Sequence, residues 1–109
     1  MGYTVNVARQ VLRDAEEEIF YKKELGTYPE NIEKFEKDLD KLIYIQLSEN
    51  PLIGTKLSFR LYSVSTTIRY LVVDDYILFY DVQQNKKIVD VIRLLPAKSH
   101  WMNTVRKYL

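Results

Sequence analysis

The chain has 109 residues, 47% hydrophobic and 28% charged, with a net charge of +1, no cysteine and one histidine, His100. That size and composition fit one globular domain, residues 1–109, and exclude a disordered chain. The missing cysteines exclude disulfides, thiolate metal sites and a cysteine nucleophile, and a lone histidine excludes a histidine metal cluster, so no metal or cofactor is expected. Met1 to Val7 is too short and polar for a signal peptide, and no apolar run approaches the roughly 18 residues that span a membrane. A soluble, cytoplasmic protein with no membrane partner is the expectation.

The net charge conceals a split. Residues 1–53 carry seven Lys/Arg and eleven Asp/Glu, a balance of −4, and residues 54–109 carry nine and four, a balance of +5. Two readings follow. The halves meet different partners, the basic one a polyanion or an acidic mimic of one. Alternatively, acidic helices and a basic sheet attract each other.

In chain order, Thr4 to Val7 alternates weakly and predicts a short strand. Ala8, Leu12, Ala15, Ile19 and Lys22 recur at helical spacing, with Glu16-Glu17-Glu18 mostly off that stripe. Gly26 ends this helix in the φ > 0 conformation that glycine tolerates. Thr27 with Glu30 reads as a capping box, with Pro29 in the first turn. Ile32, Phe35, Leu39, Leu42, Ile43 and Gln46 then mark the buried face of a second helix, antiparallel to the first because the turn is short. Ser48-Glu49-Asn50-Pro51 closes it. Phe59–Ser63, Thr66–Val73, Tyr76–Val82 and Lys87–Leu95 are rich in β-branched and aromatic residues and predict strands. Their short connectors require antiparallel neighbours. Pro96 stops the last strand, and Ser99 caps a short terminal helix. The fold class is α+β: a helical hairpin on one face of a mainly antiparallel sheet of three to five strands, with the other face available.

Three segments carry a family resemblance over Ala8 to about Trp101. Asn50-Pro51-Leu52-Ile53-Gly54 resembles a P-x-x-G element between helices and sheet. Ile68-Arg69-Tyr70 followed by Asp75 to Tyr80 resembles an arginine–tyrosine pairing of central strands. Val91-Ile92-Arg93-Leu94-Leu95 resembles the final strand. Their order and spacing resemble the RelE/ParE superfamily, toxins of type II toxin–antitoxin modules. The resemblance implies one of two activities: RelE-like toxins cut mRNA in the ribosomal A site, and ParE-like toxins poison DNA gyrase. Both are held inactive by an antitoxin whose extended C-terminal segment wraps the toxin, so a cognate antitoxin is the expected partner, with ribosome and mRNA, or gyrase, as target.

RNA cleavage by 2′-OH attack needs a base, an acid for the leaving oxygen and a cation for the phosphorane. Histidine suits the proton transfer, arginine the phosphate, and an aromatic ring an unstacked base. Ala97-Lys98-Ser99-His100-Trp101 resembles the C-terminal C-R-Y-H-Y of YoeB-type RelE toxins. On that resemblance His100 matches the histidine, Trp101 replaces a tyrosine and Lys98 an arginine. The bland alternative has His100 and Trp101 capping a terminal helix, with Trp101 packed on the sheet edge. Arg69 joins the catalytic candidates, and Lys56, Arg60 and Arg93 are the phosphate-binding candidates. Strand alternation sets Arg69 with Leu71 and Val73, and Arg93 with Val89, Val91 and Leu95, where each is either paired at a sheet face or aimed into a groove. Lys86-Lys87 reads as a solvated turn. RelE-like chains have an arginine directly after the tyrosine at Tyr76, and this chain has Ile77, as ParE-like chains tolerate. The expectation is an mRNA interferase, with a gyrase inhibitor as the alternative and an inert partner-binding module as a third reading.

Overall fold

The computed structural model describes residues 2–57 and 67–108. One five-stranded sheet runs in the order β1-β5-β4-β3-β2: β1 (Thr4–Val7), β2 (Thr55–Lys56), β3 (Ile68–Val73), β4 (Tyr76–Gln83) and β5 (Ile88–Pro96). All neighbours are antiparallel except β1, which is parallel to β5. Helices α1 (Arg9–Glu24) and α2 (Pro29–Lys41) cover one face. The expected α+β class is the one observed. The strand expected over Phe59–Ser63 and the turn after it lie outside the described residues.

Gly26 has φ 75°, and its N–H bonds the Lys23 carbonyl while Thr27 N–H bonds the Lys22 carbonyl. This closes α1 with a glycine in the left-handed region. It also corrects the capping box. The amide of Thr27 finishes α1, and the residue at the start of α2 is Tyr28, with no side-chain cap bond, before Pro29.

Helix α2 buries Ile32, Phe35 and Leu39, then widens into a π turn, Leu42–Gln46, before a last α turn, α3 (Leu47–Glu49). The i→i+5 turn takes in an extra residue, so the position four after Ile43 stays inward. Leu47 is fully buried, and Gln46, expected on that face, is exposed. Ser48 then grips Tyr3 from both sides. Its carbonyl accepts the Tyr3 N–H and its hydroxyl donates to the Tyr3 carbonyl, both at 2.8 Å.

On α1 the expected stripe is rotated. Val11 and Asp14 are the buried residues, Ala15 and Ile19 flank them, and Leu12 is 54% exposed. The cause is Asp14, only 4% exposed. β1 pairs with β5 only as far as Val91. Beyond it Leu94 N–H donates to Asp14 Oδ2 at 3.0 Å, and Arg93 donates through Nε at 2.8 Å and Nη2 at 3.0 Å. Gln10 Nε2 adds a fourth contact at 3.1 Å. A bulge leaves Ile92 without a partner, since Tyr80 faces Val91 and Phe79 faces Arg93. It breaks the alternation expected for Arg93: Val89, Val91 and Leu94 join the helix-side core, while Ile92 and Leu95 join the other.

The second face is not open, contrary to expectation. Ile68, Ile77, Phe79 and Leu95 pack under Leu57 and Val105, the latter from α4 (Trp101–Val105). Trp101 lies 5.3 Å from the Phe79 ring. Ser99 does not cap α4; its hydroxyl donates to the Pro96 carbonyl at 2.6 Å, and His100 occupies the capping position.

Removing Asp14 leaves the Arg93 guanidinium and a sheet amide without their carboxylate. Asp14→Ala is expected to cost roughly 3–5 kcal/mol in urea unfolding. A loss below about 1 kcal/mol would show that this pair does not fix the helix on the sheet.

Two buried phenols set the alkaline limit. Burial pushes Tyr76 well above its ordinary value near 10, and its hydrogen bond to Glu18 with the charges of Glu18, Asp75 and Asp74 pushes it further. Burial also raises Tyr80, against the Gly54 N–H and Arg69. The unfolded chain ionises first, so the stability these phenols confer is full below about pH 10 and falls as pH rises beyond it. The urea midpoint should drop above that pH, and less steeply in Tyr76→Phe. An identical slope in that variant would assign the loss to other groups.

Candidate functional site

A tight clasp positions the cationic end of the sheet. After the 3-10 turn Pro51–Ile53 comes Gly54, then β2. The Tyr80 hydroxyl donates to the Pro51 carbonyl at 2.8 Å and accepts the Gly54 N–H at 2.9 Å. Arg69 Nη1 donates to the Gly54 carbonyl at 2.8 Å. A Cβ on Gly54 would strike the Tyr80 hydroxyl and come within 2.7 Å of the Tyr70 carbonyl. Only glycine permits that approach.

The clasp sets Lys56 directly across from Arg69 in the β2–β3 register. Like charges facing each other across a sheet repel. The Gly54 carbonyl relieves part of this, and an anion between the ammonium and the remaining guanidinium donors would relieve the rest. These two residues line an open groove of about 510 Å³ with Thr67, Gln83, Gln84 and Asn85, and no carboxylate lines it among the described residues. The Gln83 amide is held by Asp90 at 2.7 Å, while Gln84 and Asn85 are exposed in the β4–β5 turn.

The remaining candidates lie elsewhere. Arg69 shares a face with Leu71, which packs in the helix-side core, so the groove is on the helix side of the sheet. Trp101 is on the opposite side, half-buried against Phe79. His100 is exposed. Lys98 lines a different cleft, beside Tyr76. Tyr76 is six residues along β4 from Val82 at the groove, or about 20 Å. The Arg93 guanidinium is bidentate on Asp14. Arg60 lies outside the described residues. Lys86 and Lys87 are exposed in a turn, Lys87 at φ 54°. The structure thus joins Lys56 and Arg69 and separates them from Lys98 and Trp101.

Residues 5–101 match the family described as the ParE toxin of the type II toxin–antitoxin system parDE. The chain belongs to this family. It is a toxin of the RelE/ParE superfamily, and the fold extends to solved RelE toxins. The toxin–antitoxin complex RelBE2 of Mycobacterium tuberculosis is 20% identical, covering 88% of this chain and 99% of its own, with a TM-score of 0.62. The RelE–RelB complex of Pyrococcus horikoshii is 18% identical, covering 90% and 98%, with a TM-score of 0.52. The isolated Escherichia coli RelE toxin is 16% identical, covering 98% and 99%, with a TM-score of 0.51. No curated protein matches the chain by sequence. No helix among the described residues is long and apolar enough to cross a membrane.

The P-x-x-G element that carries the resemblance has a physical role here: Pro51 and Gly54 are the two backbone partners of Tyr80. Sequence reasoning paired Arg69 with the central tyrosines but missed the hydroxyl that holds the turn. It also missed Gln84 and Asn85, whose signal was a run of carboxamides beside two lysines.

Gly54→Ala should cost roughly 1–3 kcal/mol through overpacking. Tyr80→Phe, which strands the Pro51 carbonyl and Gly54 N–H, should cost about 1–3 kcal/mol. The double variant should lose less than the sum, because both changes open one clasp. Strict additivity in urea unfolding would show two independent sites.

Proposed function

We propose that this toxin, one unit spanning residues 1–109, inhibits growth in the cytoplasm by binding DNA gyrase without bond-breaking chemistry, and is neutralised by a cognate antitoxin. The observation that carries this reading is the separation of the tail from the cationic groove. Acid–base cleavage needs its proton-transfer groups within about 2.6–3.2 Å of the reacting atoms, together with the phosphate cation. Here the sheet stands between Trp101 and Arg69, and Lys98 lies toward the other end of β4. Ile77, where a RelE-like chain has its arginine, is buried in the second core. The match to the ParE description supports the same choice. The antitoxin is supported by the RelBE2 and RelE–RelB assemblies, whose toxins share this fold.

A second reading is a ribosome-dependent mRNA endoribonuclease. The side-by-side Lys56 and Arg69 and the exposed His100 favour it. In that reading His100, Trp101, Lys98 and Arg69 act at the scissile phosphate, and Lys56, Arg60 and Arg93 bind RNA.

Expression without antitoxin, with supercoiling and translation followed together, separates the two. The gyrase reading expects growth arrest, stabilised gyrase–DNA cleavage complexes and continued translation at onset. His100→Ala should leave that arrest intact, and Lys56→Ala should weaken it. Cut mRNA, with arrest abolished by His100→Ala, would establish the nuclease instead.

A further inference from the structure

A second large cleft lies away from the cationic groove, and acids outnumber cations in its lining among the described residues. It encloses about 690 Å³ between the C-terminal half of α1, the β3–β4 turn and the exit of β5. Tyr21 and Leu25 form its apolar wall and are 58% and 66% exposed. Phe20 and Tyr28, outside the lining, are 66% and 72% exposed in the same stretch of chain. Four large apolar side chains within nine residues is more than scattered surface hydrophobics require, and marks a docking patch.

Charge defines what fits it. Glu17, Glu18 and Asp75 line the cleft, and the charge of Asp74 acts on Tyr76 there. Among the described residues none of these four forms an ion pair, the salt bridges lying at Lys37–Glu33 and Arg93–Asp14. The nearest cation on α1, Lys22, sits over the rings of Phe35 and Tyr76, at 5.0 Å and 5.1 Å from their centroids. Lys22 lines the cleft too, but its charge is engaged with these aromatic faces, leaving the acids in excess over the cations of the lining. Lys98 stands at the rim and is exposed. The Tyr76 phenol at the floor is raised first by burial, then by its hydrogen bond to Glu18 and the charges of Glu18, Asp75 and Asp74.

We infer that this cleft docks a partner-protein segment carrying arginine or lysine among apolar residues. The apolar side chains would cover Tyr21 and Leu25, and the cation would meet Glu17, Glu18 and Asp75. The exposed tyrosines add faces on which a guanidinium stacks. An acidic or polyanionic ligand would meet like charge here and belongs at the Lys56–Arg69 groove. The inference goes beyond the toxin reading, since it needs neither gyrase poisoning nor RNA cleavage.

The test uses the full chain and two labelled amphipathic peptides, one of leucine and arginine and one of leucine and glutamate. In an NMR titration of the unmodified chain, the leucine–arginine peptide should shift the amides of Tyr21, Leu25 and Asp75. Anisotropy should show roughly tenfold weaker binding to the Glu17→Lys, Asp75→Lys double variant and a loss with Tyr21→Ala. Glu49→Lys, an exposed acidic site outside the cleft, should bind as the unmodified chain does. Equal binding of the leucine–glutamate peptide, shifts centred on Lys56 and Arg69, or an equal loss in Glu49→Lys would overturn the proposal. Growth arrest plays no part in these readouts, so failure here leaves the toxin reading standing.

Discussion

The fold depends on one carboxylate. Where β1 stops pairing at Val91, the edge of β5 has donors and no strand beside it. An open strand edge must be paired or covered. Asp14 of α1 does this, taking the Leu94 amide and both sides of the Arg93 fork. A helix contacts a sheet through apolar side chains, which tolerate sliding. A bidentate ion pair plus an amide does not. Asp14 therefore fixes the rotation of α1, and with it which residues of that helix face water. Leu12 and Phe20 are exposed because the Asp14 side faces inward.

The same pair resolves the charge split between the two halves. An acidic helix residue meets a basic strand residue in the interior, so attraction between halves is realised at Asp14–Arg93. Two of the surface clusters that remain are set apart. Lys56 and Arg69 lie toward one end of β4, and Glu17, Glu18 and Asp75 toward the other. With a Debye length of about 8 Å at physiological salt, surfaces some 20 Å apart do not cancel. Each presents its own potential, while the attraction between halves is the part of the split realised in the interior, at Asp14–Arg93.

Much of the architecture was legible in the sequence. Period and turn chemistry gave the hairpin, Gly26 and the strands β1, β3, β4 and β5. The misreadings share a cause. Gln46, Thr27 and Ser99 were placed by regular local rules, and each was displaced by a neighbour: a π turn, an α1 closure, a Pro96 carbonyl. Arg93 followed strict alternation that the Ile92 bulge interrupts. Asp14 was invisible because an acid three residues after Val11 reads as a helix surface until its partner, 79 residues on, is known. Of the candidate residues, Lys56 and Arg69 were named from the sequence and do face each other across β2 and β3. The sequence had no means of showing that the sheet lies between Arg69 and Trp101.

That separation follows from how small the second core is. The face opposite the helices presents Ile68, Ile77, Phe79 and Leu95, and a sheet face this apolar requires cover. The chain supplies it from Leu57 and from α4. Trp101 is the largest side chain available, and burying an aromatic of that size contributes more than any other tail residue. Once Trp101 is committed to Phe79, its ring is held on the face opposite Arg69. Arginine at position 77 would place a guanidinium in the same core, beside Leu95. Ile77 and Trp101 therefore belong together: each makes the second face apolar, one from the sheet and one from the tail.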